Sequence, residues 1–142
     1  MIVVSSQPFS IQPKVTLPLF EKNGSMHLKI SFNEKKAETF LIDYGGQFDI
    51  ELSQRFYNKN KASFPFASKN QSKAETYGLN GSRSQEVRNL KCNIDLEGVN
   101  IPNVNITIRK GIKNRLGLTF LSRFKKVAIN SSIQEMSFGE SK

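Results

Sequence analysis

The chain has little of what most enzyme chemistries use. Its 142 residues hold one cysteine, Cys92, and one histidine, His27. A single cysteine excludes an internal disulfide framework and any multi-cysteine metal site, and leaves the redox compartment open. A single histidine argues against a His-rich zinc site and leaves at most one base for a Ser-His or Cys-His nucleophile pair. There is no tryptophan, and aspartate occurs only at Asp43, Asp49 and Asp95. No apolar run approaches the roughly 20 residues that a helical membrane span needs. The opening MIVVSSQPFS has a short apolar patch with no basic residues before it, so it does not read as a signal peptide. What remains is carboxylate chemistry, with no metal and no organic cofactor expected.

The charge balance leans one way. With 21 Lys and Arg against 12 Asp and Glu, the net charge is +9, which in some proteins marks a nucleic-acid or anionic-surface binder. Here the cations are spread along the chain, with no basic run longer than two residues and only loose interleaving with aromatics around RFYNKNKASF. The balance therefore reads as that of a soluble domain, and nucleic acid is not expected as a partner. A chain of this length forms one domain, residues 1–142, and can bury roughly two-thirds of its unfolded surface. Residues 1–12 are expected as an extended or disordered lead-in.

The periodicity is that of strands. MHLKISF alternates, with Met26, Leu28, Ile30 and Phe32 on one face and His27, Lys29 and Ser31 on the other, which makes His27 an outward residue without function. LKCNIDLE places Leu90, Cys92, Ile94 and Leu96 inward, so Cys92 reads as a small core residue rather than a nucleophile. Val104, Ile106 and Ile108 repeat the pattern. Asn23-Gly24 and Glu97-Gly98 mark turns, and Ile101-Pro102-Asn103 interrupts a strand. Residues 58–75, polar around the island Phe64-Pro65-Phe66, read as a surface loop. LTFLSRF is the best helical segment, and VAINSSIQEMSF forms two short strands around Asn130-Ser131-Ser132. Asp49, between Phe48 and Ile50, and Asp95 are both expected to face solvent. The class is all-β with one short helix near the C-terminus.

Three features stand in order along this pattern. An alternating strand and a second, apolar one end in FLIDYGG, at Asp43-Tyr44-Gly45-Gly46. A hairpin follows with a glycine-bearing tip, Tyr77-Gly78-Leu79-Asn80-Gly81. About seventy residues beyond Asp43 comes RLGLTFL, with Leu116-Gly117 ahead of the helix. Taken alone, Asp-x-Gly-Gly at a strand end is an ordinary turn. Taken together, the order resembles the retropepsin-like aspartic peptidases, the retroviral proteases and their single-domain bacterial relatives, over roughly residues 24–138.

The resemblance implies a closed retropepsin-like β-barrel, with Asp43 as the catalytic carboxylate in the loop Tyr44-Gly45-Gly46. It makes Tyr77 to Gly81 a flap over Asp43, and sets Leu116-Gly117 directly beneath the active-site loop. Such enzymes hold two carboxylates about 3 Å apart that share one proton, so that one acts as acid and the other as base on a trapped water. One motif supplies one aspartate, so a C2 homodimer would have to bring Asp43 to its symmetry mate. The activity implied is that of an aspartic endopeptidase acting on a peptide or protein. The alternative is a catalytically impaired pseudoprotease that uses the fold to bind extended peptides or another protein. Two positions depart from the family pattern Asp-Thr-Gly-Ala/Ser. Tyr44 replaces the threonine and is expected to turn outward or into an apolar pocket beside the helix. Gly46 replaces the small residue and would add flexibility.

Overall fold

A computed structural model of the chain describes residues 2–5, 14–31, 38–64, 68–78 and 81–140. Eleven strands and two helices follow one another as β1 (Ile2–Ser5), β2 (Val15–Lys22), β3 (Ser25–Ile30), β4 (Glu38–Asp43), β5 (Ile50–Ser53), α1 (Gln54–Asn60), β6 (Ser68–Gly78), β7 (Gly81–Leu96), β8 (Val99–Arg109), β9 (Arg115–Gly117), α2 (Leu118–Leu121), β10 (Val127–Asn130) and β11 (Glu135–Phe138). The strands pair in the order β1-β10-β11-β2-β3-β4-β9-β5-β8-β7-β6. No ladder joins β1 to β6 among the described residues, so the hydrogen-bonded sheet is open and not the closed barrel that the resemblance implies. The segment expected as a lead-in contributes β1, which runs parallel to β10 with Ile2 beside Val127.

The turns form where their residues permit. Asn23 and Gly24, at φ of 53° and 76°, close the β2–β3 hairpin, and Glu97 and Gly98, at 50° and 88°, close β7–β8. Two residues with positive φ give the turn whose twist matches paired strands. The alternating residues then meet in one core. Leu17, Leu19, Leu28, Ile30, Phe40, Ile42, Leu90, Cys92, Ile94 and Leu96 all belong to it, and Phe120, Leu121 and Phe124 cap it from α2 and its C-terminal turn. A fully buried side chain such as Phe40 stabilises the fold by roughly 1.5–3 kcal/mol.

Four expectations are corrected. Residues 58–75 are not one loop: they hold the end of α1, a 3-10 turn at Lys61–Ser63 and the start of β6, and they bury Phe64. Ser53 starts α1 by accepting the Phe56 N–H at 3.1 Å, a cap preceding no clear apolar period. Pro102 does not break β8, because a register shift opposite Cys92 to Ile94 absorbs it and the Asn93 side chain takes the Asn103 N–H. His27 is not outward in the sense expected: it is 5% exposed, stacked on Phe20 with ring centroids 5.4 Å apart. Asp49 is buried as well, for a reason that belongs to the site. β2 lacked an obvious signal because Pro18 sits in it, yet Val15, Leu17 and Leu19 point inward.

Burial of Cys92 pushes its thiol up to about 11. The group is then neutral in the folded state through the range where an unfolded thiol ionises, so its share of stability is full below about pH 8.5 and is lost as pH rises through about 11. Cys92 should react with iodoacetamide at neutral pH only as fast as the chain unfolds. Labelling at the rate of a free thiol in the native protein would contradict its burial.

Candidate active site

The site is built where β4 ends. Phe40 and Ile42 point into the core, so Thr39, Leu41 and Asp43 stand on the opposite face. β9 runs parallel beside β4, pairing Leu41 with Arg115, Ile42 with Leu116 and Asp43 with Gly117. Leu116 and Gly117 therefore lie directly alongside the Asp43 loop, and the two segments also interlock. Leu118 donates its N–H to the Gly46 carbonyl at 2.8 Å, and Gly117 donates to the Asp49 carbonyl at 2.9 Å. A Cβ on Gly117 would overlap the Phe48 carbonyl oxygen and meet that of Gly46 at 2.9 Å. A Cβ on Gly46 would strike the Phe48 ring, with Cζ at 2.8 Å. A residue larger than glycine at 46 would therefore have to displace the Phe48 ring, so packing bears on a position from which flexibility had been expected.

Asp43 is oriented from two sides. Its Oδ1 accepts the Gly45 N–H at 3.1 Å, and its Oδ2 lies 3.2 Å from Arg115 Nη1. The carboxylate is not sequestered: its side chain is 30% exposed. Arg115 reaches further, with Nη2 donating to Glu51 Oε2 at 2.6 Å and the guanidinium 5.1 Å over the Phe48 ring. Arg109 stands 3.4 Å from the same Glu51 oxygen. Two acids and two arginines thus form one neutral network. Glu51 is buried because these cations cover it. Arg115 is the residue that sequence reasoning missed, although it immediately precedes Leu116-Gly117.

Asp49 holds the far end of the loop. Arg123 grips it with two bonds, Nε to Oδ1 at 2.9 Å and Nη2 to Oδ2 at 2.6 Å, and the Asn105 N–H donates to Oδ2. Arg123 also donates to the carbonyls of Pro102 and Asn103. The hydrogen bonds to Asp49 raise the Arg123 guanidinium above its ordinary value. This pair ties the turn after α2 to both the loop and β8. A planar guanidinium and a carboxylate match as a fork, which is why an acid flanked by Phe48 and Ile50 can be buried.

Tyr44 is 42% exposed, turned outward, and the buried part of its ring raises its phenol. Tyr77, Gly78 and Gly81 lie at the facing ends of β6 and β7, with Tyr77 opposite Ser82 and Gly78 opposite Gly81. Leu79 and Asn80 fall outside the described residues. Among the described residues no group of three or more His, Cys, Asp or Glu side chains could hold a metal ion, and no helix is long and apolar enough to cross a membrane.

No protein-family model matches this sequence, and no curated protein does. A solved structure does match: a retropepsin-like aspartic protease from Rickettsia conorii, with a TM-score of 0.57 and 16% identity over 87% of this chain and 89% of that one. The chain therefore has the retropepsin-like aspartic protease fold.

Two substitutions test the architecture. Gly117→Ala should destabilise by about 1–3 kcal/mol or more, because backbone oxygens rather than side-chain tips occupy the space. Arg123→Met should lose about 3–5 kcal/mol by leaving the buried Asp49 carboxylate without its cation. Urea unfolding reads both, and near-wild-type midpoints would contradict the interlock and the buried pair.

Proposed function

We propose that the chain is an aspartic-endopeptidase-like domain in which Asp43 is half of a catalytic pair completed by a second copy of the chain. The observation that carries the reading is Asp43 itself, an acid at the mouth of β4, aimed away from the core and clamped beside Leu116-Gly117 within a retropepsin-like fold. In the dimer one carboxylate takes a proton from water as the water attacks the peptide carbonyl carbon, and the other gives a proton to the carbonyl oxygen. Collapse of that intermediate breaks the C–N bond, and the amine leaves with a proton. Tyr77 to Gly81 serve as the flap that covers the bound peptide.

Arg115 sets the condition for activity. While its guanidinium pairs with Asp43 Oδ2 at 3.2 Å, that oxygen is engaged by a cation and is not free to face a second carboxyl. Dimerisation must replace that contact, so the monomer is inactive. The same ion pair favours a second reading, a non-catalytic member of the fold that binds extended peptides along a sheet edge such as β6.

Digestion of an unfolded protein between about pH 3 and pH 7 tests the proposal. Asp43→Asn should lower the rate at least about a thousandfold, the scale expected for a group that acts in the transition state. Arg115→Leu should raise the dimer fraction seen by sedimentation. Equal cleavage by wild type and Asp43→Asn would refute the peptidase reading. Peptide binding without cleavage by any variant would establish the second.

A further inference from the structure

The outer face that carries Asp43 also holds a cavity of about 350 Å³, lined by Phe20, Lys22, His27, Thr39, Leu41, Ser53, Lys113 and Asn114. Its volume is at the lower end of those that hold small ligands. Among the described residues no Asp or Glu lines it, and most of its polar groups can donate. Asn114 Oδ1 is occupied by the Ser53 N–H at 2.9 Å, which leaves the amide hydrogens of Nδ2 to give. Ser53 Oγ accepts the Phe56 N–H, which leaves its hydroxyl hydrogen to give. His27 Nδ1 lies 3.0 Å from the Ser25 carbonyl, an oxygen that can only accept, so this nitrogen donates into the protein. Lys22 and Lys113 carry donors and no acceptor. Phe20, stacked on His27, and Leu41 supply apolar walls. Donors and two cations therefore outnumber the acceptors left for an occupant, which are His27 Nε2 in the neutral ring and the Thr39 hydroxyl. That is the chemistry of a carboxylate on a short apolar stem.

The cavity is next to Asp43. Leu41, in its wall, is the register partner of both His27 and Arg115 and lies two residues before Asp43, about 7 Å along the strand. The carboxylates on that face, Asp43 and Glu51, are each engaged by Arg115, so a second anion nearby does not meet uncompensated negative charge. We propose that this cavity binds a glutamate or aspartate side chain of a peptide lying over Asp43, so that the site selects acidic peptides. The proposal rests on the peptide-site reading above in naming a peptide as the bearer of the carboxylate.

The test is binding of fluorescent reduced-amide peptides, which cannot be hydrolysed, differing only in a central Glu or Gln. Wild type should bind the Glu peptide at least about tenfold more tightly, the scale of one charge-assisted hydrogen bond. Lys22→Gln/Lys113→Gln, which alters two exposed side chains, should lose that preference. Equal binding of the two peptides by wild type, or a preference that survives in the lysine variant, overturns the assignment. Free glutarate binding as tightly as the Glu peptide would also overturn it, in favour of a small-anion site. Because no cleavage is measured, these outcomes are independent of whether Asp43 is catalytic.

Discussion

Everything at the site depends on how closely two chain segments cross. Residues 43–49 and 116–118 touch through backbone, with the Gly46 carbonyl accepting from Leu118 and the Asp49 carbonyl from Gly117. That approach exists only because residue 117 has no Cβ. It fixes Asp43 at one end of a loop and Asp49 at the other, and starts α2 in contact with both. Arg123, just past α2, then reaches back to Asp49. The loop is thus held at both ends by a crossing segment and its helix, the rigidity that positioning a carboxylate calls for.

The outer face is organised by charge rather than by burial. Arg115 stands between Asp43 and Glu51 and is flanked by the Phe48 ring. In a peptidase dyad the partner of Asp43 is another carboxyl, and the pair must hold a proton between them. In the single chain that partner is a cation. On the proposed function, the contact that satisfies an isolated Asp43 opposes its catalytic use, because Arg115 and a second Asp43 would compete for the same carboxylate. Tyr44, turned to solvent, leaves the crossing to glycines and backbone bonds.

Much of this was legible in the sequence, and the illegible parts share a cause. Period-two alternation placed Leu28, Ile30, Leu90 to Leu96 and Val104 to Ile108 inward, because it reports which face is buried. The Asp43 and Leu116-Gly117 segments could be paired across 72 intervening positions only through a family likeness, since no local rule joins parallel strands so far apart. Asp49 and His27 were misread because alternation assigns a polar residue to the wet face. Arg123 buries the first, and Phe20 with neighbouring strands buries the second. Burial of a charge depends on a partner supplied from elsewhere in the chain. Arg115 escaped notice for the same reason: its meaning lies in what it touches. α1 was hidden inside a polar stretch, where among the described residues Phe56, Tyr57 and Phe64 meet the core.

The central claim is that one copy supplies half of a catalytic pair. Subunit mixing tests it most directly. Wild-type chain at fixed concentration is titrated with increasing Asp43→Asn chain, and the cleavage rate is followed after the subunits have exchanged. If each site needs one Asp43 from each copy, mixed dimers are inactive, and the rate should fall steadily toward zero as Asp43→Asn comes into excess. A rate unchanged by any excess would mean that a single chain carries the whole site, and would contradict the account.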